Sequence, residues 1–152
     1  VLHRPRRHLP HWEIPRGTIC PNWRLHRRQP PLTALERDSV LDVIRLGDPA
    51  FGQILAAVVM DDHVHALIRI GQAPSAKRIA STWKSASAHR LCADYGRQAP
   101  VWQREYFDRW MRSERQTRQC LQYVLNNPKR RWPKITEYRW LIGAPTTIDV
   151  HA

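Results

Sequence analysis

The spacing of apolar residues changes period several times along the chain, and each change marks an element. From Arg16 to His26, Thr18, Ile19, Trp23 and Leu25 stand among polar neighbours and predict a first strand. After Pro30-Pro31, Thr33 followed three residues later by Glu36 has the form of a capping box. Leu35, Val40, Leu41 and Ile44 then recur at helical spacing up to Gly47, which predicts an amphipathic helix. Phe51 to Met60 is apolar on both faces and predicts a buried strand, closed by a turn at Asp61-Asp62. The next strand, His63 to Ile70, alternates: Val64, Ala66, Ile68 and Ile70 share one face, and His63, His65, Leu67 and Arg69 share the other.

Ser75 caps a second predicted helix that runs to about Tyr95 and stops at Gly96, with Ile79, Trp83 and Ala86 as its apolar stripe. Trp102 to Met111 predicts another strand. Ser113 with Gln116 opens a third helix, which Pro128 is expected to end. Residues 1–15 read as an irregular basic arm, and residues 129–152 as a basic, aromatic tail. The order β-α-β-β-α-β-α implies an α+β fold: a ferredoxin-like sandwich whose antiparallel sheet is covered by helices on one face. No repeat or interior boundary is visible, so residues 1–152 are expected to form one domain.

Charge adds a partner to this picture. The formal net charge is +12, and it is uneven. Residues 1–31 carry a balance of +6, residues 32–96 are neutral, and residues 97–140 carry +7. A neutral middle with cationic ends favours a polyanion, because binding phosphates releases their counterions. Arg4, Arg6, Arg7, Arg24, Arg27 and Arg28, with Lys129, Arg130, Arg131 and Lys134, suit phosphate contacts, and Trp132, Tyr138 and Trp140 interleave with that charge as candidate stacking platforms for unpaired bases. No apolar run reaches the roughly 20 residues a membrane span needs, and no secretory signal is expected. Cys20, Cys92 and Cys120 are odd in number and lack CxxC spacing, so neither a disulfide framework nor a zinc ribbon is expected, and a reducing cytoplasm is the expected compartment.

The candidate chemistry lies in two places. His63 and His65, two apart on a strand, put two imidazoles about 6 to 7 Å apart on one face, a spacing suited to one divalent ion. By itself His-x-His fits a metal site or two ordinary strand histidines equally well. On the third helix, Thr117, Cys120, Leu121, Val124 and Leu125 form a core-facing stripe, and Gln116, Gln119, Tyr123 and Asn127 form a polar one. Tyr123 and Asn127, one turn apart, offer a nucleophile and an amide oxygen, or simply an amphipathic surface. A tyrosine hydroxyl, ordinarily titrating near 10, is a poor nucleophile at neutral pH unless a cation stabilises the charge that develops on the phosphate. Lys84 would serve to neutralise phosphate or assist a leaving group, or is a solvated lysine.

The segments Val59-Met60-Asp61-Asp62-His63-Val64-His65-Ala66-Leu67, Trp83-Lys84-Ser85, Val101 to Arg109 and Gln122-Tyr123-Val124-Leu125-Asn126-Asn127-Pro128 resemble the single-tyrosine HUH transposases, above all the branch associated with repetitive extragenic palindromes. The likeness runs from about Trp23 to Trp140. It implies that His63 and His65 are metal ligands, that Tyr123 is the nucleophile, and that Asn127 holds the third-ligand position where insertion-sequence relatives carry Gln. It also implies a Mg²⁺ or Mn²⁺ cofactor and a single-stranded DNA substrate folded as an imperfect hairpin with a short flanking recognition sequence. A monomer is expected, since no signal for exchange of the tyrosine helix is present. A non-catalytic hairpin-binding domain of the same fold is the alternative. A replication initiator of the same chemistry would need further domains.

Overall fold

The structure is a computed structural model that describes residues 17–47, 49–71 and 75–143. Its strands are β1 (Thr18–Ile19), β2 (Asn22–Leu25), β3 (Gly52–Val59), β4 (His63–Ile70), β5 (Trp102–Phe107) and β6 (Leu141–Ile142), and its helices are α1 (Ala34–Arg45), α2 (Ala76–Tyr95) and α3 (Glu114–Arg131). The sheet order is β5-β2-β4-β3-β6, every pairing is antiparallel, and β1 also pairs with β4. Taken without β1, β6 and α3, this is the strand order of a ferredoxin-like β-α-β-β-α-β unit. The expected α+β architecture is therefore the one found, with β4 at its centre.

Two cores explain the layers. Alternation along β4 sends Val64, Ala66, Ile68 and Ile70 into a large cluster with Val40, Val43 and Ile44 of α1 and Ile79, Trp83 and Leu91 of α2. Trp23, one of its buried tryptophans, stands edge-on to Trp102 and tilted against Trp83, each with ring centroids 6.2 Å apart. On the opposite face, Leu67, Ala56, Val58 and Met60 pack against Cys120 and Val124 of α3, together with Cys20. The helices thus divide between the faces: α1 and α2 lie together as expected, while α3 takes the other face alone.

Several local expectations are revised. The first strand is broken by Cys20-Pro21 into β1 and β2, because proline brings no N–H to a ladder. Capping of α1 is as read, with the Thr33 hydroxyl accepting from the Glu36 amide and the Glu36 carboxylate from the Thr33 amide, yet Leu35 is exposed and Glu36 buried in its place. On α2 the buried position is Ser87 rather than Ala86, its hydroxyl donating to the Trp83 carbonyl at 2.7 Å and accepting from Trp102 Nε1 at 2.9 Å. Pro128 sits inside α3, and the helix continues to Arg131 with the Trp132 amide donating back to the Pro128 carbonyl at 2.8 Å. Strand β5 ends at Phe107, and β6 lies in the segment read as loop.

Gly52 opens β3 at φ 123°, a region that side chains with a Cβ rarely adopt. A Cβ there would run into the Arg69 carbonyl oxygen and the Gly71 amide of the paired strand. Gly52→Ala is expected to cost about 2 kcal/mol or more in a urea melt, from backbone strain plus the contact.

Candidate active site

Because β4 alternates, His63 and His65 both face the α3 side of the sheet, each on the central strand and flanked by β2 and β3. Arg24 is the register partner of His63, and Asn22 and Val58 are the partners of His65. His63 Nδ1 is 2.7 Å from Asp62 Oδ1. That contact fixes the ring's orientation, and only its other nitrogen remains to meet a ligand. Burial of the Asp62 carboxyl would raise its pKa, but the bond to His63 and the nearby charges of His63, Arg131 and Arg24 outweigh it and hold the group below its ordinary value.

His65 is buried, 8 % exposed. Burial first, then the charges of His63, Arg109 and Arg24, push its pKa down to about 4, so the imidazole is neutral at physiological pH. Tyr123 lies over it edge-on, ring centroids 5.3 Å apart, while its own ring stays partly open to solvent. The Arg130 guanidinium covers the tyrosine ring at 4.7 Å. Together His65, Tyr123, Cys20, Asn22, Arg109, Gln119 and Cys120 line a cavity of about 400 Å³.

Asn127 lies on the same helix as Tyr123. Tyr123 contacts His65, and Arg131, two turns further along α3, reaches Asp61 at 3.2 Å and Asp62 at 3.9 Å. Asn127 is one turn from each along α3. It is buried rather than on an open polar stripe, and its Nδ2 has no hydrogen-bond partner. A 180° turn of the amide puts Oδ1 where that unpartnered nitrogen stands, which is what a cation would require. Imidazole nitrogens and an amide oxygen are donors that suit a divalent ion.

The remaining residues fall in distinct places. Arg24 and Arg131 converge on the Asp61-Asp62 turn, and the Leu25 amide donates to the Asp62 carbonyl at 2.8 Å, so the basic stretch at Arg24, Arg27 and Arg28 and the one at Lys129, Arg130 and Arg131 approach the same end of the sheet. Arg27, Arg28, Lys129, Arg130, Arg131 and Lys134 are exposed. Arg4, Arg6 and Arg7 lie outside the described residues. Trp132 stacks on Tyr138 at 5.7 Å, Tyr138 donates to the Val59 carbonyl at 2.6 Å, and Trp140 donates to Asp38 at 2.8 Å under the Arg37 guanidinium. This aromatic group is thus engaged with the protein itself, and its three rings are half-buried.

Lys84 is not brought to the cavity. It projects from α2, and its ammonium donates to the carbonyls of Gln103 at 2.8 Å and Arg104 at 3.0 Å, strapping α2 to β5. Burial lowers its pKa. The catalytic reading of Lys84 therefore gives way to a structural one.

The cavity also holds what sequence reasoning passed over. Cys20 and Cys120, 100 residues apart, are paired as a disulfide, and Cys20 Sγ lies 3.0 Å from His65 Nε2. The expectation from cysteine spacing fails here because the contact is made only when α3 docks on the sheet. Cys20, His65 and Cys120 form a group positioned to bind a metal, with ligand atoms all within 4.8 Å of one another. A larger cleft, about 760 Å³, lies elsewhere around Glu36 and Arg97. Its principal charges are bonded to one another, so the smaller cavity is the site of interest.

Among the described residues, no helix is long and apolar enough to cross a membrane. The chain is similar in fold to a REP-associated tyrosine transposase solved bound to a REP hairpin, at TM-score 0.62 and 19% identity over 78% of this chain and 70% of that one. A crystal structure of a candidate transposase from Deinococcus radiodurans R1 is similar at TM-score 0.55 and 24% identity, over 72% of this chain and 88% of that one. No curated protein matches the chain. The family described as "Transposase IS200 like" matches residues 23–127, a span that opens at Trp23 in the core and closes at Asn127 on α3. With His63, His65 and Tyr123 inside that span and the fold shared with these structures, the chain belongs to the IS200-like transposase family.

Proposed function

We propose that this chain is a metal-dependent, single-strand-specific DNA endonuclease and strand transferase, which cuts and rejoins hairpin-forming palindromic DNA through a 5′-phosphotyrosine on Tyr123. The observation that carries this reading is the contact of Tyr123 with His65 in one cavity, inside the span that matches the family. His63, His65 and Asn127 would hold Mg²⁺ or Mn²⁺, which when bound polarises the scissile phosphate and stabilises charge on its oxygens.

The chain's own groups do the rest. Tyr123 Oη attacks phosphorus and gives its proton to solvent; the bond to the 3′ oxygen breaks, and that oxygen leaves as a free 3′-hydroxyl once protonated. One phosphoester replaces another, so the step reverses when a different 3′-hydroxyl attacks the phosphotyrosine, and cutting becomes joining. Asp62 orients His63, and Tyr123 is held edge-on against His65 under Arg130. Arg24, Arg27, Arg28, Lys129, Arg130, Arg131 and Lys134, with the N-terminal arginines Arg4, Arg6 and Arg7, hold phosphates away from the reacting bond. The REP hairpin carried by the structurally similar transposase supports a hairpin as the substrate class here.

The test is a labelled single-stranded hairpin incubated with the protein and Mg²⁺ or Mn²⁺. A covalent adduct that survives denaturation is expected, lost with a chelator and reduced by roughly 100-fold or more in His65→Ala. Hairpin binding that ignores chelator and His65→Ala, with no cleavage on either metal, would identify a non-catalytic binding domain instead.

A further inference from the structure

We propose that Cys20, Cys120 and His65 form, in the dithiol state, a binding site for a soft divalent cation of the zinc class, and that this site withdraws His65 from the catalytic array. The second half rests on the function proposed above; the first rests on the cavity alone. The three side chains come from three separate elements: the β1–β2 connection, β4 and α3. All three are buried. Their ligand atoms lie within 4.8 Å of one another, so small side-chain adjustments bring them onto one ion at Zn–S of about 2.3 Å and Zn–N of about 2.0–2.1 Å.

The backbone that carries Cys20 is fixed. Its amide donates to the Arg109 carbonyl at 2.9 Å, and the next carbonyl, of Pro21, accepts from Ala66 at 3.0 Å. The Cα atoms of the two cysteines are 7.1 Å apart, wider than the usual 4.4–6.8 Å between half-cystines, and two thiolates sharing an ion stand farther apart than two bonded sulfurs. Three protein ligands leave a fourth position for water or another donor, and all three line the cavity that Tyr123 also lines.

Ligand chemistry sets the competition. Thiolates select zinc-class ions over Mg²⁺ and Mn²⁺, whereas the imidazole and amide set suits the harder ions. His65 Nε2 already stands 3.0 Å from Cys20 Sγ, so an ion on the cysteines takes the same imidazole the catalytic ion needs. The dithiol state is reached by a thiol reductant, which supplies two electrons and two protons to the Cys20–Cys120 bond; ion binding then releases the two thiol protons to solvent.

Cobalt(II) is the probe. Added to the full chain reduced by a dithiol that is then removed, it is expected to bind at one equivalent with a thiolate-to-cobalt charge-transfer band and tetrahedral visible bands, both bleached by Zn²⁺. Cys92 is unpaired, so Cys92→Ser should leave the bands intact. Cys20→Ser and Cys120→Ser should each weaken binding about tenfold or more, and His65→Ala should shift the visible bands. Absence of the charge-transfer band in the reduced wild-type chain overturns the proposal, as does a band that persists in the double serine variant. In the cleavage assay, one equivalent of Zn²⁺ should lower adduct formation about tenfold or more in the reduced wild type and leave the double serine variant unaffected; equal inhibition of both overturns the competition. A cobalt band without any DNA adduct under any condition would refute the catalytic reading of Tyr123 and leave the thiolate site standing.

Discussion

Tyr123→Phe is expected to eliminate the covalent protein–DNA adduct and to lower strand cleavage by at least about 10³-fold, measured on a labelled hairpin under saturating Mn²⁺. The substitution removes one oxygen and keeps the ring. Its edge-on contact with His65 at 5.3 Å and the cover of Arg130 at 4.7 Å are ring contacts, so they persist. The position is half open to solvent, and the expected change in folding stability is within about 0.5 kcal/mol. Hairpin affinity should also be retained, since phosphate contacts dominate it. Loss of chemistry with stability and binding intact would isolate the hydroxyl as the nucleophile. The other tyrosines are poorly placed to substitute. Tyr138 and Tyr95 spend their hydroxyls on the carbonyls of Val59 and Leu35, and Tyr106 lies on β5 beside Lys84. An adduct that survives in Tyr123→Phe would place the chemistry somewhere else.

The second large effect is on stability. Arg97→Ala is expected to cost about 3–5 kcal/mol in chemical denaturation, because it leaves a buried carboxylate without its counter-charge. Arg97 and Glu36 side chains are 7% and 4% exposed. The guanidinium donates through Nε to one oxygen of Glu36 and through Nη2 to the other at 2.8 Å, and also reaches Gln29 at 3.1 Å and the carbonyls of Pro30 at 2.8 Å and Pro31 at 3.0 Å. One side chain thereby ties the start of α1, the proline loop before it and the segment after α2. Burial would raise the pKa of Glu36, but Arg97 and Thr33 outweigh it and hold the carboxyl below its ordinary 4.5. A depressed carboxylate contributes stability above its unfolded value and loses that contribution as pH falls through the folded one. Glu36→Gln should therefore be less stable than wild type near neutral pH, with the gap closing as the solution is acidified below about 4.5. A gap independent of pH would mean the pair contributes through packing alone.

These two residues also show what a sequence can reveal. Glu36 was legible as half of a capping box, because that pattern is local and has a fixed spacing. Its bond to Arg97, 61 residues away, leaves no mark on spacing. The same division runs through the site. Alternation from His63 to Ile70 gives the strand and puts both histidines on one face, and helical spacing sets Tyr123 one turn from Asn127. That α3 crosses to the opposite face from α1 and α2, and lays Tyr123 on His65, depends on which apolar stripe meets which side of the sheet. Asn127 looked like an open polar residue because amides usually are; its burial follows from a stripe that runs Thr117, Cys120, Val124, Asn127 at alternating three- and four-residue steps. Ser87 escaped for a related reason, its hydroxyl being satisfied within the helix and by Trp102.

The two-sided packing of the sheet separates what must stay still from what must travel. The histidines ride on the central strand, whose backbone is bonded on both sides and backed by the larger core. Tyr123, the proposed nucleophile, rides on a helix anchored by the smaller core, through Cys120 and Val124 and their neighbours. The proposed strand transfer asks a tyrosine that has captured one DNA end to meet a second end at the phosphate site. A hinge inside the main core would disrupt that site with every turnover. In the proposed reaction Tyr123 and Asn127 would move with that layer together, while His63 and His65 stay on the strand.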